Sequence, residues 1–114
     1  MFIRLKSELY VQALVRRVNA ALAAAYVAKR GDTDAGVIFV RVNRLDGTGG
    51  LLSLFTNMDG ERLARVVLEP GTPEPDIDAH LSREISRDPD IWVIDIEDVA
   101  GRHFLDEKLD GNWF

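Results

Sequence analysis

The sequence predicts an α+β fold: a single domain over residues 1–114, with a mostly antiparallel sheet of four to five strands and two helices on one face, in the order α-β-β-β-(β)-α-β. Three observations carry this. Two segments place apolar residues at three- and four-residue spacing, as amphipathic helices do. Between and after them lie short β-rich runs, separated by turn residues at intervals of about 8 to 15 positions. The elements follow one another without internal repeats.

Residues 2–6 alternate briefly and are expected to lead in as an extended strand. Val11, Leu14, Val15, Val18 and Leu22 then recur at helical spacing, with Arg16, Arg17 and Asn19 between them, so a helix is expected over 7–22. Ser7 is its expected N-cap, and Glu8 falls in the first turn, where a carboxylate meets the positive end of the helix dipole. Tyr26, Val27 and Ala28 precede the Asp- and Gly-rich segment 29–36, and the apolar run 37–42 follows it, which predicts a hairpin with a long loop. Turn signals at 46–50 and 57–60 set off 51–56 and 61–69 as further strands of a meander. Pro70, Gly71, Pro73 and Pro75 break the pattern and predict a loop inside the domain. Asp76 is then expected to cap a second helix with Ile77, Leu81 and Ile85 on its apolar stripe, ended by Pro89. Residues 91–97 form the most strand-like run: Trp92, Ile94 and Ile96 share one face, and Ile91, Val93, Asp95 and Glu97 the other. Its fully apolar first half predicts cover on both faces, with Asp95 and Glu97 emerging near a rim. His103, Phe104 and Leu105 are expected to form a last short strand or turn.

Composition bounds the function. With 46% hydrophobic and 29% charged residues, the 114-residue chain has the make-up of a folded domain rather than of a disordered one. The absence of cysteine excludes a disulfide framework, a thiolate metal site and a cysteine nucleophile. No stretch approaches the roughly 20 apolar residues of a membrane span, and the start of the chain lacks the apolar core of a signal peptide, so a cytoplasmic location is expected. The net charge of −5 is unevenly spread: +5 over residues 1–30, −2 over 31–72 and −8 over 73–114. The two ends are complementary, either within one molecule or head to tail between copies. Nucleic acid is a poor partner for so acidic a chain.

Several groups of residues invite a chemical reading. Asp95, Glu97 and Asp98 set two carboxylates on one strand face with a third just beyond, the pattern of oxygen ligands for a divalent cation or of an acid/base pair; the competing reading is a strand face partnered by Arg41 across the sheet. Arg16 and Arg17, with Arg4 and Lys6 before them, are the best anion-binding candidates, since guanidinium groups grip carboxylate and phosphate bidentately. Arg30 and Arg44 extend that set. His80 and Glu84 lie one helical turn apart but lack further ligands, so no metal site is expected. His103 reads as structural. Asp32 and Asp34 lack the closing glutamate of a calcium loop and read as a turn. Gly47, Gly49 and Gly50 precede a strand without a following Lys-Ser/Thr pair, which excludes a phosphate-binding loop. No catalytic motif and no cofactor is implied.

Beyond these local patterns, residues 4–8 (RLKSE), 30–36 (RGDTDAG), 42–47 (VNRLDG), 83–98 (REISRDPDIWVIDIED) and 101–105 (GRHFL) resemble a family of short alphaproteobacterial proteins catalogued only as a domain of unknown function. The resemblance spans nearly the whole chain except residues 58–75. It implies a bacterial cytosolic protein and brings no catalytic residue or cofactor. The functional expectation is therefore a small non-enzymatic binding or interaction domain, homodimeric or meeting a protein partner through a sheet edge or through Phe104, Leu105, Trp113 and Phe114. The alternative is a small enzyme or sensor that holds an anionic metabolite, phosphorylated or carboxylate, with Arg16, Arg17, Arg30 and Arg44, and uses Asp95 or Glu97 as its acid/base group.

Overall fold

The structure is a computed structural model that describes residues 6–114; residues 2–5 of the expected lead-in strand, Arg4 among them, lie outside the described residues. The elements are α1 (Ser7–Ala20), β1 (Ala24–Lys29), β2 (Ile38–Asn43), β3 (Thr48–Thr56), β4 (Arg62–Pro73), α2 (Glu74–Arg87), β5 (Trp92–Glu97) and β6 (Leu109–Asp110). The α+β class and the order of the first seven elements are as expected. Among the described residues the sheet has six strands rather than four or five, in the order β1-β5-β2-β3-β4-β6. It is mixed: β1/β5, β2/β3 and β3/β4 are antiparallel, whereas β5/β2 and β4/β6 are parallel.

The expected hairpin between β1 and β2 does not form, because β5 inserts between them. Trp92, Val93 and Ile94 are apolar on both faces, and such a run belongs at the centre of a sheet with neighbours on either edge. The segment between β1 and β2 passes around the start of β5 instead. Asp32 N–H donates to the Asp90 carbonyl at 2.9 Å, Trp92 N–H to Val37 at 2.8 Å, and the Trp92 indole N–H to Asp32 at 2.7 Å. Gly31 and Gly36 permit this approach, since a Cβ at either would collide with the Asp90 carbonyl and the Trp92 ring.

The same two-sided apolar character corrects the expectation of two helices on one face. Val11, Leu14 and Val18 of α1 pack on Ile38, Val40, Val42, Trp92, Ile94 and Ile96. Ile77 and Leu81 of α2 pack on the opposite side, against Phe39, Leu51, Ile91 and Val93. The α1 side also receives the C-terminal segment through Leu105 and Trp113. Full burial of residues such as Ile94 and Ile96 contributes about 1.5–3 kcal/mol each relative to exposure, which is why both faces must be covered.

Local boundaries also shift. The N-cap of α1 is Lys6, not Ser7; the Ser7 hydroxyl donates to the Gly36 carbonyl at 2.7 Å, while the N–H groups of Ser7 and Glu8 reach the carbonyls of Asp34 and Thr33. The helix ends at Ala20, short of Leu22. The expected loop at 70–75 is instead the end of β4 followed directly by α2, with Pro73 as N-cap in place of Asp76 and Pro75 in the first turn. Proline is tolerated there because, among the described residues, β6 pairs with β4 at Ala64 and Arg65 alone, which leaves the far end of β4 an outer edge that needs no donor. The last strand is β6, not residues 103–105, which are irregular. Among the described residues no helix is long and apolar enough to cross a membrane.

Candidate functional site

Three adjacent strands place Tyr26, Asp95 and Arg41 in one row. Asp95 on β5 stands opposite Tyr26 on β1 in antiparallel register and opposite Arg41 on β2 in parallel register. Their side chains lie on the α2 side of the sheet, and the first turns of α2 bring Glu74 and Asp78 onto Arg41, Asp78 at 2.6 Å and Glu74 in a closer ion pair. The helix start is held in place by Glu74 N–H, which donates to the Gly47 carbonyl of the β2–β3 turn at 3.0 Å. Gly49 leaves room for the Glu74 carboxylate, which a Cβ there would strike.

The cluster is electrostatically uneven. Burial pushes the Asp95 carboxyl above the usual carboxylate range, against the opposing pull of Arg41 and of the nearby Tyr26 hydroxyl. The Asp95 charge in turn raises the Tyr26 phenol. Arg41 is shared by Glu74 and Asp78, and Asp95 Oδ1 and Glu74 Oε1 are buried without a hydrogen-bond partner among the described residues. Orphaned acceptors of this kind are suited to a donor, not to an anion. Among the described residues no three His, Cys, Asp or Glu side chains are arranged to hold a metal ion.

Of the carboxylates singled out in the sequence, Asp95 and Glu97 share this face. Asp98 does not. It turns into the following loop and takes three bonds from Arg102: the backbone N–H at 2.8 Å, Nε at 3.0 Å and Nη2 at 2.8 Å. Those side-chain bonds hold its carboxyl below the usual range. Its role is to shape the turn that ends at Gly101.

The four arginines are not brought together. Arg16 lies exposed on α1. Arg17, also on α1, donates to the Phe104 carbonyl at 2.7 Å and to Asp106 at 3.1 Å. Arg30 pairs with Glu8 at 3.0 Å and lies over the Trp92 ring, at the start of β5. Arg44 follows the end of β2, at the other end of the sheet, beside Gly101, with its Nε buried and without a hydrogen-bond partner among the described residues. Elsewhere, His80 faces Glu84 at 3.7 Å, and Asp32 accepts the N–H groups of Asp34 and Ala35, as its turn reading expects. A cavity of about 250 Å³ opens between Ser7, Asp34, Gly36, Ile38, Leu54 and Arg62, beside the Asp32–Asp34 turn and lined by none of the four arginines or of Asp95, Glu97 and Asp98.

Sequence reasoning missed Tyr26 and Glu74. Glu74 was hidden in a proline run read as a loop, and Tyr26 was one aromatic in an alanine-rich strand. Arg41 was legible as the cross-strand partner of the acidic face.

The comparisons with known proteins agree with this fold. The structure superposes with a TM-score of 0.82 on the crystal structure of a DUF1491 family protein from Caulobacter crescentus, 44% identical, covering 94% of this chain and all of that one. An NMR structure of a DUF1491 family protein from the same organism gives 43% identity and a TM-score of 0.82, over 96% of this chain and all of that one. The solution structure of protein Atu0922 from A. tumefaciens gives 36% identity and a TM-score of 0.76, with the same coverage. No curated protein matches. The DUF1491 family, described as proteins of unknown function, matches residues 5–106. With nearly its whole length matched and its fold shared, the chain belongs to the DUF1491 family.

Proposed function

We propose that the chain is a small cytosolic, non-enzymatic interaction domain that pairs with a second copy of itself along the β1 edge of its sheet. The observation that carries this is the character of that edge. Among the described residues β1 has one strand partner, β5, and it leaves Tyr26 on one face and Val27 on the other 48% and 38% exposed. Edge strands that avoid association carry charges, prolines or strong bulges; β1 has no proline and a register shift only past Val27. Here the one charged side chain, Lys29, turns back, its ammonium donating to the carbonyls of Arg30, Pro89 and Ile91 at 2.9, 2.7 and 3.0 Å. The C-terminal aromatics support the reading less: Trp113 is in the core, and only Phe114, 80% exposed, is available to a partner. Light scattering coupled to size-exclusion chromatography at low and high salt tests the proposal. A dimer that persists in high salt is expected; a strict monomer at high concentration overturns it.

One observation favours a second reading, a small enzyme or sensor for an anionic metabolite: Asp95 is half-buried, with its carboxyl pushed upward, in a row with Tyr26 and Arg41. The arginines meant to grip the anion lie in separate places, and Arg41 is occupied by two carboxylates. Thermal-shift screening with phosphorylated and carboxylate metabolites tests this reading, which requires a stabilisation that Asp95→Asn abolishes.

A further inference from the structure

The Asn19 carboxamide covers part of the β1 edge. Its Oδ1 accepts the Ala25 N–H at 3.0 Å and its Nδ2 donates to the Ala25 carbonyl at 3.4 Å. These are the two bonds that a residue of an adjacent antiparallel strand makes. Ala25 is therefore a position whose peptide groups point away from β5, and by the two-residue period of the ladder Val27 is the next. Val27 has no such cap among the described residues. Past it, the register shift between Val27 and Lys29 interrupts the strand. The edge is thus closed at Ala25, open at Val27 and bent beyond it.

We propose that a second copy of this chain adds to β1 antiparallel, about a two-fold axis at Val27, and that Asn19 limits the length of the pairing. This rests on the homodimer reading above. An antiparallel two-fold sets Val27 against its own counterpart, exchanging two backbone hydrogen bonds, and sets Tyr26 against Ala28 of the other copy. It also matches charge. Arg30, paired with Glu8 through one nitrogen but still 65% exposed, follows one end of β1, while Glu97 stands opposite Ala24 at the other, so the two-fold points each basic end toward the acidic end of the other molecule. An unrelated extended peptide would gain the Val27 bonds but not this reciprocal charge match.

The test is the dimer dissociation constant, measured by sedimentation for the full chain and its variants, with circular dichroism and melting to establish that each is folded. Asn19→Ala frees the Ala25 N–H and carbonyl for pairing and is expected to tighten the dimer about tenfold. Val27→Pro removes the outward donor and is expected to give a monomer. Arg30→Glu is expected to weaken the dimer, and Arg30→Glu combined with Glu97→Arg to restore it. A wild-type dimer whose constant is unmoved by Asn19→Ala overturns the role of Asn19 and leaves the homodimer reading standing. A wild-type monomer that Asn19→Ala converts to a dimer upholds the role of Asn19 and overturns the homodimer reading. A folded Val27→Pro that still dimerises, or a double charge swap that fails to restore pairing, overturns the two-fold at Val27.

Discussion

Trp113 packs its ring against Gly50 so closely that a Cβ at that position would stand nearer to the indole than non-bonded carbon atoms approach. The indole N–H donates to the Gly101 carbonyl at 2.7 Å, and the ring meets His103 edge-on at 5.7 Å between centroids. Only 6% exposed, Trp113 fastens an irregular C-terminal segment onto the α1 face of the sheet.

Gly50→Ala should therefore lower stability by about 1–3 kcal/mol, because the indole must shift and its packing with it. Urea unfolding followed by tryptophan fluorescence checks this. An unchanged midpoint would mean that the segment adjusts freely over β3.

The same segment is held from α1 by Tyr10, whose buried hydroxyl donates to Glu107 at 2.6 Å across 97 positions of sequence. Burial, reinforced by Glu107, pushes the phenol far above its ordinary range. Tyr10→Phe keeps the ring under Arg62 and removes only the bond, so a loss of roughly 1–2 kcal/mol is expected. Glu107→Gln retains an acceptor and should lose less. Equal losses in the two variants would count against the hydrogen bond as the cause.

Asp95→Asn should make the protein more stable at pH 7. The folded-state pKa is raised above 3.8, so the folded protein holds the proton more tightly than the unfolded chain does, and the ionised carboxylate is a penalty at any pH above the folded value. Below 3.8 both states are protonated and the penalty vanishes. The advantage of the variant should accordingly shrink as pH falls toward 3.8. Melting temperatures of the two proteins across pH 3–8 decide it, and a variant that is less stable at pH 7 would show that the Arg41 interaction outweighs burial.

His103 gives the opposite dependence. Burial lowers its pKa from 6.5, with Glu107 pulling the other way, and its Nδ1 accepts the Leu105 N–H at 2.9 Å, which only the neutral ring can do. The unfolded chain binds a proton first as pH falls, so the stability this residue contributes is complete above 6.5 and is lost as pH drops through 6.5 toward the folded value. Chemical denaturation at pH 7.5 and pH 5 should show a smaller drop for His103→Gln than for the wild type. Identical drops would remove His103 from the acid response.

The helices and the faces of the strands were legible because they are local periods. Val11, Leu14 and Val18, and Ile77 and Leu81, had to lie on buried stripes wherever the helices packed, and Trp92, Ile94 and Ile96 had to share a face once the segment was extended. The apolar character of β5 on both sides even predicted that both its faces would be covered. What a period does not carry is the identity of the neighbour. That β5 separates β1 from β2, that the helices lie on opposite faces, and that a proline run continues β4 into α2 follow from contacts between residues far apart in sequence, where the burial of a two-sided apolar strand outweighs the local preference for a hairpin. The candidate site has the same origin. Asp95 and Glu97 were visible as carboxylates on one strand, but only the register of three strands and the docking of α2 set Asp95 beside Tyr26 and Arg41 and closed Glu74 over them. The four arginines part company for the same reason: nearness along the chain, or likeness of charge, does not place side chains on a common surface, and the order of the strands does.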